Sequence, residues 1–529
     1  MDEHTWWQRG VIYQIYPRSF QDTTGNGVGD LPGIIERLDY LRWLGVDAIW
    51  ISPIYPSPMA DFGYDVADYC DIDPLFGTLA DFDLLVDEAH RRDIRVILDY
   101  VPNHSSDQHP WFQESRATRY NPKRDWYIWR DPAPEGQPPN NWRSVFGGSS
   151  WTLDEHTGQY YYHAYLKEQP DLNWRSPGVQ HAMLDVLRFW LDRGVDGFRI
   201  DALRQLIKDE QWRDNPPNPD YQPGLNPYHA LIPRHTTDLP EIMALIAKMR
   251  AVSDQYDERV LIGELYLSIE RLVTYYGATG EGVQLPFNFH LILTPWRAGP
   301  IAELIRLYEA ALPPGAWPNW VLGNHDQPRL ASRVGPQQAP VAALLLLTLR
   351  GTPTLYYGDE LGMRDVAIPP DLVQDPQEKN VPGLGLGRDP ERTPMQWSGD
   401  PHAGFSVAEP WLPVAGDYEM VNVAVQREDP DSLLSLYRRL IALRRATPAL
   451  AVGTCVEVVG QDDLLTYVRE HGAQRMLVVL NMGSQPQTVE LGGRSGRVVL
   501  ATQRAREGQA VAGALDLGGD EGLVLELAG

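Results

Sequence analysis

Two cysteines in 529 residues, Cys70 and Cys455, exclude a disulfide-stapled fold and point to a reducing compartment. Positive charge is scarce too. Against 46 Lys and Arg stand 71 Asp and Glu, a net charge of −25, which argues against nucleic acid or an anionic membrane as partner. The longest apolar run, Ala339 to Leu349, is too short to span a bilayer and ends at Arg350. The first ten residues, MDEHTWWQRG, show no basic region leading into an apolar core, so no secretory signal is read and a cytoplasmic chain is expected. There is no Gly-rich dinucleotide fingerprint, internal repeat or low-complexity tract.

What is present is a globular composition, 43% hydrophobic with 17 Trp, in a chain long enough for two or three units. Short β-branched or apolar runs recur at 11–16, 48–51, 96–98, 197–200, 260–262, 282–285, 320–322 and 354–357. Helix-period segments lie between them, at 31–44, 81–91, 180–192, 239–255, 298–311 and 339–349, and 433–445 reads as a closing helix. Eight strands alternating with helices predict an α/β fold, a closed (β/α)8 TIM barrel over 1–104 and 178–450. An open doubly wound sheet is the weaker alternative without the dinucleotide fingerprint. Residues 105–177, rich in Trp, Tyr, Pro and Asn, read as an inserted subdomain after the third strand, and 367–415 as a long loop over the same face. From 451 to 529 short alternating strands split by Gly predict a C-terminal antiparallel β-sandwich.

The informative stretch is GVDGFRIDALR, 194–204. A buried parallel strand reads as an apolar run, so Arg199 and Asp201 at its end are out of place. One such pair is explained by a structural salt bridge. The anomaly recurs, however: the third run ends in DYVPNH (99–104), the fifth in GEL (263–265) and the seventh in NHD (324–326). Barrel strand ends converge on one face, which carries the chemistry. Clustered carboxylates on that rim cost stability unless they are used or paired.

Carboxylates without a thiol nucleophile point to attack at an acetal carbon, one acting as nucleophile and another as acid and then base. Apolar neighbours suit Glu264 to the acid role, and Arg199, on the same strand face as Asp201, suits Asp201 to be the ionised nucleophile. A metal hydrolase using His104, Asp201 and His325 is the competing reading. No HExxH or HxH pair supports it.

With these segments in hand, the chain resembles the α-amylase family of glycoside hydrolases over nearly its whole length; QPDLN (169–173) is similar to that family's fifth signature. The resemblance implies Asp201 as nucleophile, Glu264 as general acid/base and Asp326 as transition-state stabiliser. It implies sugar binding by His104, Arg199, His325 and Tyr165, stacking on Tyr64 of DFGYDVADY, and a hydroxyl contact from Asp61. Arg392 of RDPERTPMQW would pair with Asp61 and close the far end of the donor site. The RTPMQW and GNGVGDL segments are similar to the α-glucosidase and oligo-1,6-glucosidase branch. Leu203-Arg204-Gln205 stands where true α-amylases commonly carry Lys-His, against a long-polymer endo-enzyme. In that branch the residue after the nucleophile tracks linkage, and Ala202 goes with α-1,4 bonds.

The loop Asp22, Thr24, Asn26, Val28, Asp30 spaces oxygen donors at alternate positions, a candidate structural Ca2+ or Mg2+ site, or simply a Gly-Asn-Gly turn. No cofactor is implied for catalysis. The expectation is a retaining exo-α-glucosidase acting on small α-glucosides, with a transglucosylase or a trehalose- or sucrose-converting enzyme as alternative. Monomer and homo-oligomer are not distinguished. A non-catalytic binding relative would be expected to lack one carboxylate or to carry an anchor.

Overall fold

The structure is a computed structural model describing residues 4–528. The apolar runs form β1 (Ile12–Ile15), β2 (Ala48–Ile51) and β3 (Arg95–Tyr100). After β3 comes an excursion with a helix, Pro110–Ala117, and three strands: β4 (Trp129–Arg130), β5 (Trp151–Asp154) and β6 (Gln159–Tyr162). The barrel resumes with β7 (Gly197–Ile200), β8 (Val260–Leu265), β9 (Leu285–Asn288), β10 (Asn319–Val321) and β11 (Thr352–Tyr356). The eight barrel strands run parallel in the order β10-β11-β1-β2-β3-β7-β8-β9.

Side chains alternate between two layers, as strand geometry requires. Ile12, Ala48, Trp50, Ile97, Val260, Ile262, Leu285, Phe287 and Val321 fill the barrel. Their neighbours Tyr13, Ile49, Ile51, Val96, Leu98, Phe198 and Leu261 pack outward. The outer helices carry the expected stops: Asp30 caps Leu31–Leu44 by accepting from the Gly33 N–H (2.7 Å), and Gly45 ends it in the left-handed region (φ 100°).

The sixth strand lies at Leu285–Asn288, later than the run at 282–285. Gly282 and Val283 instead donate back to the Tyr276 and Tyr275 carbonyls, and a Cβ on Gly282 would lie 2.0 Å from the Tyr275 carbonyl oxygen. Pro286 disguised the strand, because proline breaks a ladder. It is tolerated at the barrel seam, where β9 and β10 are bridged by one side chain. Asn319 Oδ1 accepts from the Asn288 N–H (3.0 Å), and its Nδ2 donates to the Pro286 carbonyl.

Strands β4-β6-β5 form a small antiparallel sheet around an aromatic cluster of Trp142, Trp151, Tyr160 and Tyr162. At the C-terminus β12 (Thr454–Gln461), β13 (Leu464–His471), β14 (Gln474–Asn481), β15 (Gln487–Ala501), β16 (Ala510–Leu517) and β17 (Gly522–Leu527) make one continuous antiparallel sheet. One face (Tyr467, Val478, Leu480, Val524) joins the barrel core; the other (Val468, Val479, Leu523) closes on Leu491, Val511, Leu515 and Leu517. Helix Ala339–Thr348, caught between barrel and sheet, is apolar all round for that reason. No helix among the described residues is long and apolar enough to cross a membrane.

Asn319→Leu leaves the buried Asn288 N–H and Pro286 carbonyl unpaired. We expect about 1–3 kcal/mol of destabilisation, read by urea or thermal unfolding.

Candidate active site

Register decides which strand ends meet. Asp99 pairs with Arg199 across β3 and β7, and Arg199 with Ile262 across β7 and β8. All three occupy inward positions. Arg199 is 0% exposed, and room for it is kept by Gly197 two residues earlier, where a Cβ would meet the Val260 carbonyl oxygen at 2.4 Å. Its guanidinium lies 5.2 Å from the Trp50 ring. Nη1 donates to Asp99 Oδ1 (2.9 Å) and Asp201 Oδ1 (2.7 Å), and Nη2 is 3.0 Å from Glu264 Oε1.

Expected beside Asp201 and in contact with sugar, Arg199 instead serves three carboxylates from behind the pocket wall. Divided among three carboxylates, it does not keep Asp201 readily ionised. Burial, then the Glu264 charge, push the Asp201 carboxyl well above the ordinary range, with Arg199 opposing. Burial raises Asp99 to about 6, against the same arginine. Protons on so tight a group belong to the cluster.

Above this hub is a cavity of about 210 Å³ lined by Asp61, Tyr64, His104, Tyr165, Asp201, Ala202, Glu264, His325 and Asp326, all expected from the sequence. Val145, Phe146, Arg204, Tyr266, Gln327, Gln377 and Arg388 complete the lining and were missed. Arg199 and Arg392 lie behind the wall, fully buried.

Arg392 does not pair with Asp61. Its Nε donates to the His325 carbonyl (2.7 Å) and its Nη2 to Asp326 Oδ1 (2.9 Å), with Tyr16 beneath it. The partner of Asp61 is Arg388, four residues earlier in the same turn: Nη2 to Asp61 Oδ1 is 2.8 Å, Nε to Asp375 Oδ2 is 2.8 Å, and Nη1 to Asp326 Oδ1 is 3.2 Å. A 3-10 turn at Asp389–Glu391 rotates the two arginines apart, and nothing in RDPER says which one faces Asp61. Gln169 of the fifth signature reaches Asp61 Oδ2 (3.2 Å) and His104 Nε2 (3.2 Å), tying the insertion to the pocket floor.

Burial would raise Asp326, but His325, Arg388 and Arg392 together hold it well below the usual range. Burial keeps the His325 imidazole itself neutral, so the two guanidiniums carry that effect. Gln14 Nε2 donates to His325 Nδ1 (2.8 Å), leaving the Nε2–H for the Tyr64 oxygen (2.7 Å), and the Tyr64 hydroxyl donates to Asp99 Oδ2 (3.1 Å). Tyr64 also lies parallel to His325 at 5.5 Å. His104 is pushed down to about 4 by burial and is neutral as well. Ala202 sits in the left-handed region (φ 46°), with its N–H donating to Glu264 Oε2 (2.8 Å).

The 22–30 loop is closed by its own bonds. Asp22 accepts from the Thr24, Gly25 and Gly27 N–H groups and from Ser406, Asp30 from Thr23 and Gly33, and Asn26 from the Val28 N–H. This donor set does not fit a ready-made cation cage. No group of three or more His, Cys, Asp or Glu among the described residues is arranged to hold a metal.

Comparison with known proteins places these residues in context. The family described as "Alpha amylase, catalytic domain" matches residues 14–453. The chain is 45% identical over 507 residues to the "Probable alpha-glucosidase" of Rhizobium meliloti (strain 1021), covering 92% of this chain and 91% of that one. It is 38% identical over 527 residues to the "Oligo-1,6-glucosidase" of Parageobacillus thermoglucosidasius, covering 92% of each. The crystal structure of the alpha-glucosyl transfer enzyme XgtA superposes with a TM-score of 0.94 at 40% identity, covering 99% of this chain and 100% of that one.

A carboxyl raised by folding destabilises the native state as pH climbs through the ordinary carboxyl range and above it. Asp201→Asn removes that penalty. We expect it to melt at a higher temperature than the parent at pH 7, with the gap shrinking below about pH 4, where both states of the parent hold the proton.

Proposed function

The chain belongs to the α-amylase family of glycoside hydrolases, and from the geometry of its pocket we propose that it is a retaining, exo-acting α-glucosidase. The observation that carries this is the pair of arginine hubs. Arg199 draws Asp201 and Glu264 onto one guanidinium, which supports a double displacement over an inverting reaction, whose two carboxyl groups stand farther apart to admit a water. Arg388, clamped between Asp61, Asp326 and Asp375, supports a dead-end donor site for one terminal glucose.

In the proposed reaction Asp201 reacts in its ionised form, the form that Arg199 favours, and its Oδ2, the oxygen not bound by Arg199, attacks the anomeric carbon while Glu264 protonates the departing glycosidic oxygen. The aglycone leaves, and Glu264 takes a proton from the water that releases α-glucose. Asp326 stays ionised beside the ring and stabilises developing oxocarbenium charge. Neutral His104 and His325 orient hydroxyls, and Tyr64 packs against the ring. No cofactor enters, because side chains fill each role. A cytoplasmic location remains part of this reading, in keeping with two free cysteines.

Small α-glucosides are the proposed substrates, α-1,4 before α-1,6. Ala202 forms the wall at the scissile bond in a conformation that a β-branched residue would strain. Transglucosylation is the second reading, favoured by the likeness to XgtA and by Tyr266 stacked on Phe289 at 4.1 Å, a flat shelf beside the pocket for a sugar acceptor.

The test is product analysis by 1H NMR on maltose, isomaltose, sucrose and trehalose. We expect α-glucose as the first anomer and maltose ahead of isomaltose. β-Glucose appearing first overturns the mechanism, and new disaccharides as main products favour transfer. Asp201→Asn should lower kcat by roughly 10⁴-fold or more, and Glu264→Gln by about 10²–10⁴-fold. Ala202→Val should raise the isomaltose-to-maltose ratio.

A further inference from the structure

A second cleft, about 560 Å³ and larger than the catalytic cavity, opens between the inserted segment and the loop after β7. It shares no lining residue with the catalytic pocket. Its charge is opposite to that of the chain. Five of its side chains are basic and only two, Asp125 and Glu210, acidic, in a protein of net charge −25. Three of the five are neutralised: Arg119 by Asp131, Arg175 by Glu210 and Glu241, and Lys208 by Asp171.

The other two have no carboxylate within 4.0 Å among the described residues. Arg124 lies 3.6 Å from the centre of the Trp129 ring and gives its Nη hydrogens to Ser115, Thr157 and Gln159. Arg130 lies 3.7 Å from the Trp212 ring and makes a single bond, Nη1 to the Trp129 carbonyl (3.2 Å). A stacked guanidinium is held flat with its N–H edge presented, the geometry that receives two oxygens of an anion. Trp212 reaches its place beneath Arg130 with φ at 56°, a strained conformation for a bulky residue. Ile128 and Ile207 add apolar wall beside the basic edge.

We propose that this cleft binds a phosphoryl group, free or esterified to a small organic molecule, with Arg130 as its principal ligand and Arg124 as the supporting charge. The inference is independent of the glucosidase reading.

Thermal melting and calorimetry of the full chain with inorganic phosphate, glucose 6-phosphate and glucose provide the test. Saturable millimolar or tighter binding of a phosphate-bearing probe, absent for glucose, is expected. Tighter binding of glucose 6-phosphate than of phosphate identifies the ester as the natural form; the reverse order identifies the free ion. Arg130→Gln should weaken binding about tenfold or more, and Arg130→Lys by less, because charge survives but the fork does not. Turnover of a nitrophenyl glucoside should be unchanged in both, which also certifies the fold. The proposal fails if neither anion binds saturably, or if Arg130→Gln binds as the parent does.

Discussion

The interaction on which the rest depends is the burial of one guanidinium inside the barrel. Arg199 stands among Trp50, Ile97, Val260 and Ile262, where an unpaired charge would be untenable. Three carboxylates at three strand ends compensate it, and their positions are dictated by where it reaches. Asp99 lies level with it on the neighbouring strand, Asp201 two residues on along its own, and Glu264 across the other side. The barrel thereby converts hydrogen-bond register into the spacing of two carboxyl groups.

A second hub stands above the first. Arg388 draws together Asp61 from the loop after β2, Asp326 from the loop after β10 and Asp375 from its own excursion, while Arg392 braces Asp326 from beneath. Six carboxylates against three guanidiniums leave the site short of positive charge. The shortage is unevenly shared: Asp326, held by two arginines, stays ionised, while Asp99 and Asp201, sharing one, retain protons more readily. A carboxyl cluster gathered on one arginine, beside a carboxylate held ionised by two, gives the nucleophile and the stabiliser the different surroundings that their roles require.

Much of this was legible because the signals are local. Eight runs alternating with helical periods spelled out the barrel, and polar residues at the ends of apolar strands picked out Asp201, Glu264, Asp326, His104, Arg199 and His325. The misreadings also have local causes. Pro286 interrupts the apolar run of a strand that Asn319 bridges to its neighbour across the seam. Arg388 and Arg392 lie four residues apart in one turn, and their division of labour depends on how that turn is rotated against two other loops.

The sequence by itself determined the architecture and the chemical inventory, because strand period, helix caps and misplaced charges are properties of neighbouring residues. Tertiary structure alone decided the pairings: that one arginine serves three carboxylates, that Arg388 closes on Asp61, and that two stacked arginines line a second cleft that shares no residue with the catalytic pocket. Those outcomes depend on long-range register and on burial, which change the charge balance of a group without changing its neighbours in sequence.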